Sequence, residues 1–159
     1  MARFDIENFR DYFIAMIKDN LAAKLAEINA EKADSLTLEV FDNDQYAGSL
    51  SEKVMNYADF VLYGFPEIQT IQQPDSGDFA IEIQMTFDIW IADTDGGIVA
   101  ENKVLRYTRA FSEIIAENIR KNPIIGDVQL EIFSPLPLSL SQFSAIMRVG
   151  GVQIKGTIA

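Results

Sequence analysis

Large apolar residues occupy every second position from Phe79 to Ile91, in the stretch FAIEIQMTFDIWIADTDGG. Phe79, Ile81, Ile83, Met85, Phe87, Ile89 and Ile91 take one parity, and Glu82, Gln84, Thr86, Asp88 and Trp90 take the other. A period of two is the signature of a half-buried strand. At about 3.3 Å per residue this strand would be roughly 46 Å long, well beyond the usual five or six residues. The sequence DTDGG predicts a turn, after which IVAE is expected to return as a short partner strand, making a projecting hairpin over 79–101.

Elsewhere the period changes. Phe9, Phe13, Ile17, Leu21, Leu25 and Ile28 step by three and four, which predicts an amphipathic helix over about 6–31. Val104, Tyr107, Phe111, Ile114, Ile115 and Ile119 form a second helical stripe, stopped by Asn122-Pro123. Leu36, Leu38 and Val40 alternate as a short strand, Ser49 with Glu52 fits a capping box for a short helix near 50–59, and Ile68, Thr70 and Gln72 mark an edge strand. Two strands close the chain. DVQLEIFS alternates through Val128, Leu130 and Ile132, and FSAIMRVGGVQIKGTIA carries Gly150-Gly151, read as a bulge that resets the inward face. Between them lies SPLPLSLS. Its prolines oppose ladder pairing, so 134–143 reads as an extended arm. That arm would lay Leu136, Leu138 and Leu140 on a neighbouring subunit or on its own core. The order predicts a single α+β domain over 1–159, an antiparallel or mixed sheet packed on one face by two main helices.

Composition narrows the chemistry. The 159 residues contain no cysteine and no histidine, which removes thiolate chemistry, zinc–thiolate sites and the commonest general base and metal ligand. No G-x-S-x-G, S-x-x-K or P-loop pattern occurs. The acidic turns DNDQYAGS and DTDGG lack the glutamate twelve residues along that an EF-hand requires, since those positions are Lys53 and Val104. Glu82 and Asp88 share a strand face about 20 Å apart, too far for one acid–base pair. No catalytic residue, metal ligand or cofactor is therefore assigned. No apolar run is long enough to span a membrane, and the start lacks a secretory pattern, so the expected compartment is the cytoplasm.

The net charge of −11 opposes nucleic-acid wrapping yet suits a wall along which DNA slides. Trp90, outward on the long strand near its turn, is either an interface anchor or is buried by a second layer of the same chain. Arg106 and Arg109 lie off the second helical stripe, as a solvated face or as a contact with an acidic neighbour.

The N-terminal helix, FPEIQTIQ, the Asp/Gly turn and above all VLRYTRAFSEIIAENIRKNPIIGDVQLEIFS resemble the tail terminator or tail-completion proteins of tailed bacteriophages. The resemblance implies a homo-oligomeric ring, expected to be hexameric. The ring would cap the tail tube in the virion, contact the head connector and let genomic DNA pass without specific binding. It would be assembled in the cytoplasm of a bacterial host. Trp90, Leu136, Leu138, Leu140, Arg106 and Arg109 would then serve subunit contacts, and Glu82 and Asp88 would face the channel through which the DNA passes. Two alternatives come from the same residues: another neck or tail ring subunit, such as a head-closure or tube protein, and a monomeric α+β module enclosing a small apolar ligand.

Overall fold

The computed structural model describes residues 6–42, 45–47, 59–72, 79–92, 97–119, 125–140 and 145–158. The elements run α1 (Ile6–Lys32), β1 (Tyr46–Ala47), β2 (Phe60–Gln72), β3 (Phe79–Ala92), α2 (Ile98–Asn118), β4 (Ile125–Leu140) and β5 (Ala145–Ile158). The chain is α+β, as its patterning predicts. The short helix expected near 50–59 lies outside the described residues, apart from Asp59.

α1 forms because Phe9, Phe13, Met16, Ile17, Leu21, Leu25 and Ile28 make one apolar stripe, all buried. It ends at Ala33, whose positive φ of 48° lets its N–H donate to the Asn29 carbonyl at 3.0 Å, the left-handed cap that stops a helix. α2 carries the second stripe: Ala100, Val104, Tyr107, Thr108, Ala110, Phe111, Ile114 and Ile115 are buried.

The sheet order is β1-β2-β3-β5-β4, antiparallel throughout except for the short parallel pairing of β1 with β2. β3 is central, with β2 on one edge and β5 on the other. Its odd positions Ile83, Met85, Phe87, Ile89 and Ile91 share one core with Val61, Val152 and Ile154 of the sheet and with both helices. Phe87 meets Phe111 edge to face at 5.8 Å.

Four expectations need correction. IVAE is not a returning strand and 79–101 is not a hairpin, because α2 begins at Ile98 and the helical stripe extends back through Ala100. Alanine, the best helix former, carries little apolar signal.

Leu36, Leu38 and Val40 join no ladder. Side chains serve the backbone of this segment in place of a partner strand. Asn29 accepts from the Leu38 N–H and donates to the Leu38 carbonyl, both at 3.0 Å. Arg106 donates to the Leu36 carbonyl at 2.9 Å and the Tyr107 hydroxyl to the Glu39 carbonyl at 2.6 Å.

Gly150-Gly151 does not reset β5, since the β3–β5 register continues through Asp88 opposite Gly151 and Ile89 opposite Gly150. The irregularities of the β4–β5 pairing lie instead in β4, between Gly126 and Gln129 and between Phe133 and Leu136.

The part of 134–143 up to Leu140 is not a free arm but the second half of β4, with Leu136 opposite Val149, Leu138 opposite Met147 and Leu140 opposite Ala145. Pro135 and Pro137 are compatible with this because β4 is the outermost strand, where a missing N–H can face away from the ladder.

Candidate assembly surface

The sheet has a face covered by the helices and a face opposite them. The even positions of β3 lie on the second. There Glu82 pairs with Lys155 at 3.0 Å, and the Gln153 amide donates to Gln84 at 2.9 Å. Asp88 is half-buried and makes no hydrogen bond or ion pair among the described residues; burial pushes its carboxyl above the ordinary carboxylate range. Glu82 and Asp88 thus share the face expected of them. Glu82 is already neutralised across the ladder, so the face is polar rather than strongly acidic.

Trp90 is buried within its own chain, 6% exposed, so the intramolecular reading is the correct one. It stacks on Phe60 at 5.5 Å with 14° between the planes, flanked by Leu62, Ala92 and Val149. Its indole N–H has no acceptor among the described residues.

Arg106 and Arg109 are corrected in the same sense. Both are engaged inside the chain rather than offered to a neighbour. Arg106 grips Asp34 with both terminal nitrogens. Arg109 reaches Glu31 through both terminal nitrogens, at 2.6 and 2.9 Å, and Glu113 through Nε at 2.9 Å. Those hydrogen bonds hold the Glu31, Asp34 and Glu113 carboxyls below their ordinary range. Beside them Lys24, 6% exposed, meets Glu117 at 2.8 Å, Glu27 at 3.3 Å and Glu113 at 3.4 Å. Chiefly through the Glu117 hydrogen bond, its ammonium is pushed up to about 12. These groups weld α1 to α2. The open recess bounded by Lys32, Asn102, Leu105, Arg106 and Arg109 is therefore a poor anion site, because both its arginines are already paired.

What remains open is the sheet's margins. Among the described residues, β4 has no strand beyond it, and β1 covers only Val61 and Leu62 of β2, leaving the outer edge from Tyr63 to Gln72 without a partner. Each margin carries an exposed isoleucine, Ile68 at 50% and Ile132 at 62%. Ile68 is opposite Ile83 and Ile132 opposite Val152, so both belong to the helix-covered face. They escape burial because they stand at the rim of that face. Leu136, Leu138 and Leu140 lie in β4 at the same margin. Among the described residues, no group of three or more acidic side chains could hold a metal ion, and no helix is long and apolar enough to cross a membrane. No family model matches the chain, and no curated protein matches it.

Proposed function

We propose that this chain is a non-enzymatic structural subunit of a tailed-bacteriophage virion, a tail terminator that forms a ring, expected to be hexameric, capping the tail tube and joining it to the head connector. The observation that carries this reading is the open sheet. Helices seal one face, while a sixteen-residue strand at one margin and most of β2's outer edge at the other lack partners among the described residues. Long unpaired edges are a liability unless something covers them, and two different margins on one chain allow contacts that close into a ring. Of the layout on which the resemblance rests, the N-terminal helix, the later helix and the two closing strands are present, and the hairpin over 79–101 is not.

In this reading the face opposite the helices approaches the DNA channel. Its polar groups largely satisfy one another, and the charge of −11 keeps a duplex from adhering. No cofactor or metal is required, and the subunit would be built in the host cytoplasm before joining the tail.

Another neck or tail ring subunit would use the same margins and differ in its axial partner. The small-ligand module is less favoured, because Phe9, Phe13, Phe87 and Phe111, each with no exposed surface, fill the layer between sheet and helices. Electron microscopy of tail tubes from the encoding phage, with and without the purified protein, tests the proposal. Terminator function predicts rings seated at tube ends and uniform tube lengths. Unbound protein beside bare tube ends would refute it.

A further inference from the structure

We infer that copies of this chain join margin to margin, the free edge of β2 in one copy pairing antiparallel with the free edge of β4 in the next, with Ile68 of one copy against Ile132 of the other. The inference rests on the ring-forming reading above and names its joint.

Strand direction is the first argument. β2 is antiparallel to β3, β3 to β5 and β5 to β4, so β2 and β4 run in opposite directions. A copy placed alongside with its helices on the same side therefore continues the antiparallel alternation across the boundary.

The second argument is the apolar surface. Ile68 and Ile132 are large hydrophobics left substantially exposed, and they lie on the same face at opposite margins. One chain cannot bring them together, whereas two adjacent copies can. A two-fold pairing of β4 with β4 would leave Ile68 of both copies in water.

Register supplies the third. Setting Ile68 opposite Ile132 places Glu67–Ile71 against Gln129–Phe133, a run of β4 that lies between its two register shifts. The same setting brings the β2 irregularity at Gly64–Glu67 beside the β4 irregularity at Phe133–Leu136. Pro66, Pro135 and Pro137 then fall outside the new ladder, which could not use them. Because the two margins differ, the contact is heterologous and repeats from copy to copy.

The absence of cysteine makes the test direct. Ile68→Cys and Ile132→Cys proteins are prepared singly, mixed in equal amounts at high concentration and treated with a short bis-maleimide. The joint predicts covalent dimers in the mixture, none in either protein alone, and a ladder of higher species from the double variant. Dimers from Ile132→Cys alone would replace the joint with two-fold β4 pairing. No cross-link in the mixture, while the unmodified chain assembles by native mass, would overturn the joint and leave the ring. An unmodified chain that stays monomeric and ignores tube ends would remove both. Ile68→Glu is expected to weaken assembly at least about tenfold with unchanged melting temperature, and Ile98→Glu, at an even more exposed isoleucine but on α2, to leave assembly intact. Equal assembly by these two variants would also overturn the joint.

Discussion

The Lys24 ammonium lies 2.8 Å from the Glu117 carboxylate across the seam between α1 and α2, with Glu27 and Glu113 also within reach. Lys24 is almost wholly buried, while Glu113, Glu117 and Glu27 are 34%, 61% and 62% exposed. Water can therefore reach the carboxylates if the lysine is lost, which moderates the penalty. Lys24→Ala should cost about 1–3 kcal/mol, a drop of roughly 2–12 °C in melting temperature for a chain of this size. Lys24→Met, which keeps the buried stem, should lose less. Thermal melts of the two variants check the order.

The ion pairs at this seam set the acid side of the stability curve. Glu31, Asp34 and Glu113 have folded-state pKa values below their unfolded ones, because Arg109, Arg106 and Arg109 respectively hydrogen-bond their charged forms. Their contribution is present above the ordinary carboxylate range near pH 4 and is lost as pH falls through the depressed values. Lys24 acts at the other end. Its raised value gives stability that is complete below about pH 10 and lost as pH rises toward about 12. Replacing Arg109 with Gln should flatten the loss of stability below pH 4, measured by denaturant titration across pH.

Asp88 behaves in the opposite sense. Burial, with no partner among the described residues, raises its folded-state value, so its charge opposes folding at neutral pH and the penalty fades as pH falls. Asp88→Asn is expected to raise the melting temperature at pH 7 and to bring no gain well below pH 4. A melting temperature unchanged at pH 7 would show that a counter-charge already sits on this carboxylate.

Gly151 faces Asp88 across the ladder, and a Cβ there would lie 2.0 Å from the Phe87 carbonyl oxygen. Backbone cannot move aside as a side-chain tip can, so Gly151→Ala should cost more than about 3 kcal/mol or prevent folding. At Gly64 the nearest atom to an added Cβ is Thr86 Oγ1 at 3.9 Å, an ordinary contact. Gly64→Ala should be tolerated, with a gain of up to about 1 kcal/mol from the less flexible unfolded chain. Soluble yield and denaturant melts of both variants test the contrast.

Trp90→Ala should destabilise the fold by about 3–5 kcal/mol, since the indole is a packed side chain stacked on Phe60. Trp90→Phe keeps an aromatic stack and removes an N–H that has no acceptor among the described residues, so it should cost far less. If Trp90→Ala leaves stability intact and impairs only assembly, the indole is an interface residue after all.

Local periodicity made much of this architecture legible. The stripes of α1 and α2 and the split faces of β3 follow from spacing alone, because each element buries one side against a shared core. Pairing was not legible in the same way. The length of β3 reads as surplus strand, yet β2 and β5 use it from both sides, and the surplus edge belongs to β4 and distal β2. Prolines 135 and 137 read as a broken strand because spacing does not reveal that β4 is outermost. The ion pairs of Arg106 with Asp34 and of Arg109 with Glu31 join residues more than seventy positions apart, and no local pattern carries that information. Ile68 and Ile132 were visible as apolar positions, but their exposure depends on where the helices stop covering the sheet.

The account stands on self-association through the sheet margins, and sedimentation velocity over rising concentration and salt measures it most directly. The charge of −11 makes copies repel, and at about 1 M salt the Debye length falls to about 3 Å, so salt should favour the assembled form. The predicted result is one closed species growing at the expense of monomer, about 107 kDa for six copies of the 17.8 kDa chain. A single 17.8 kDa species at every concentration and salt, with no binding to tube ends, would contradict it.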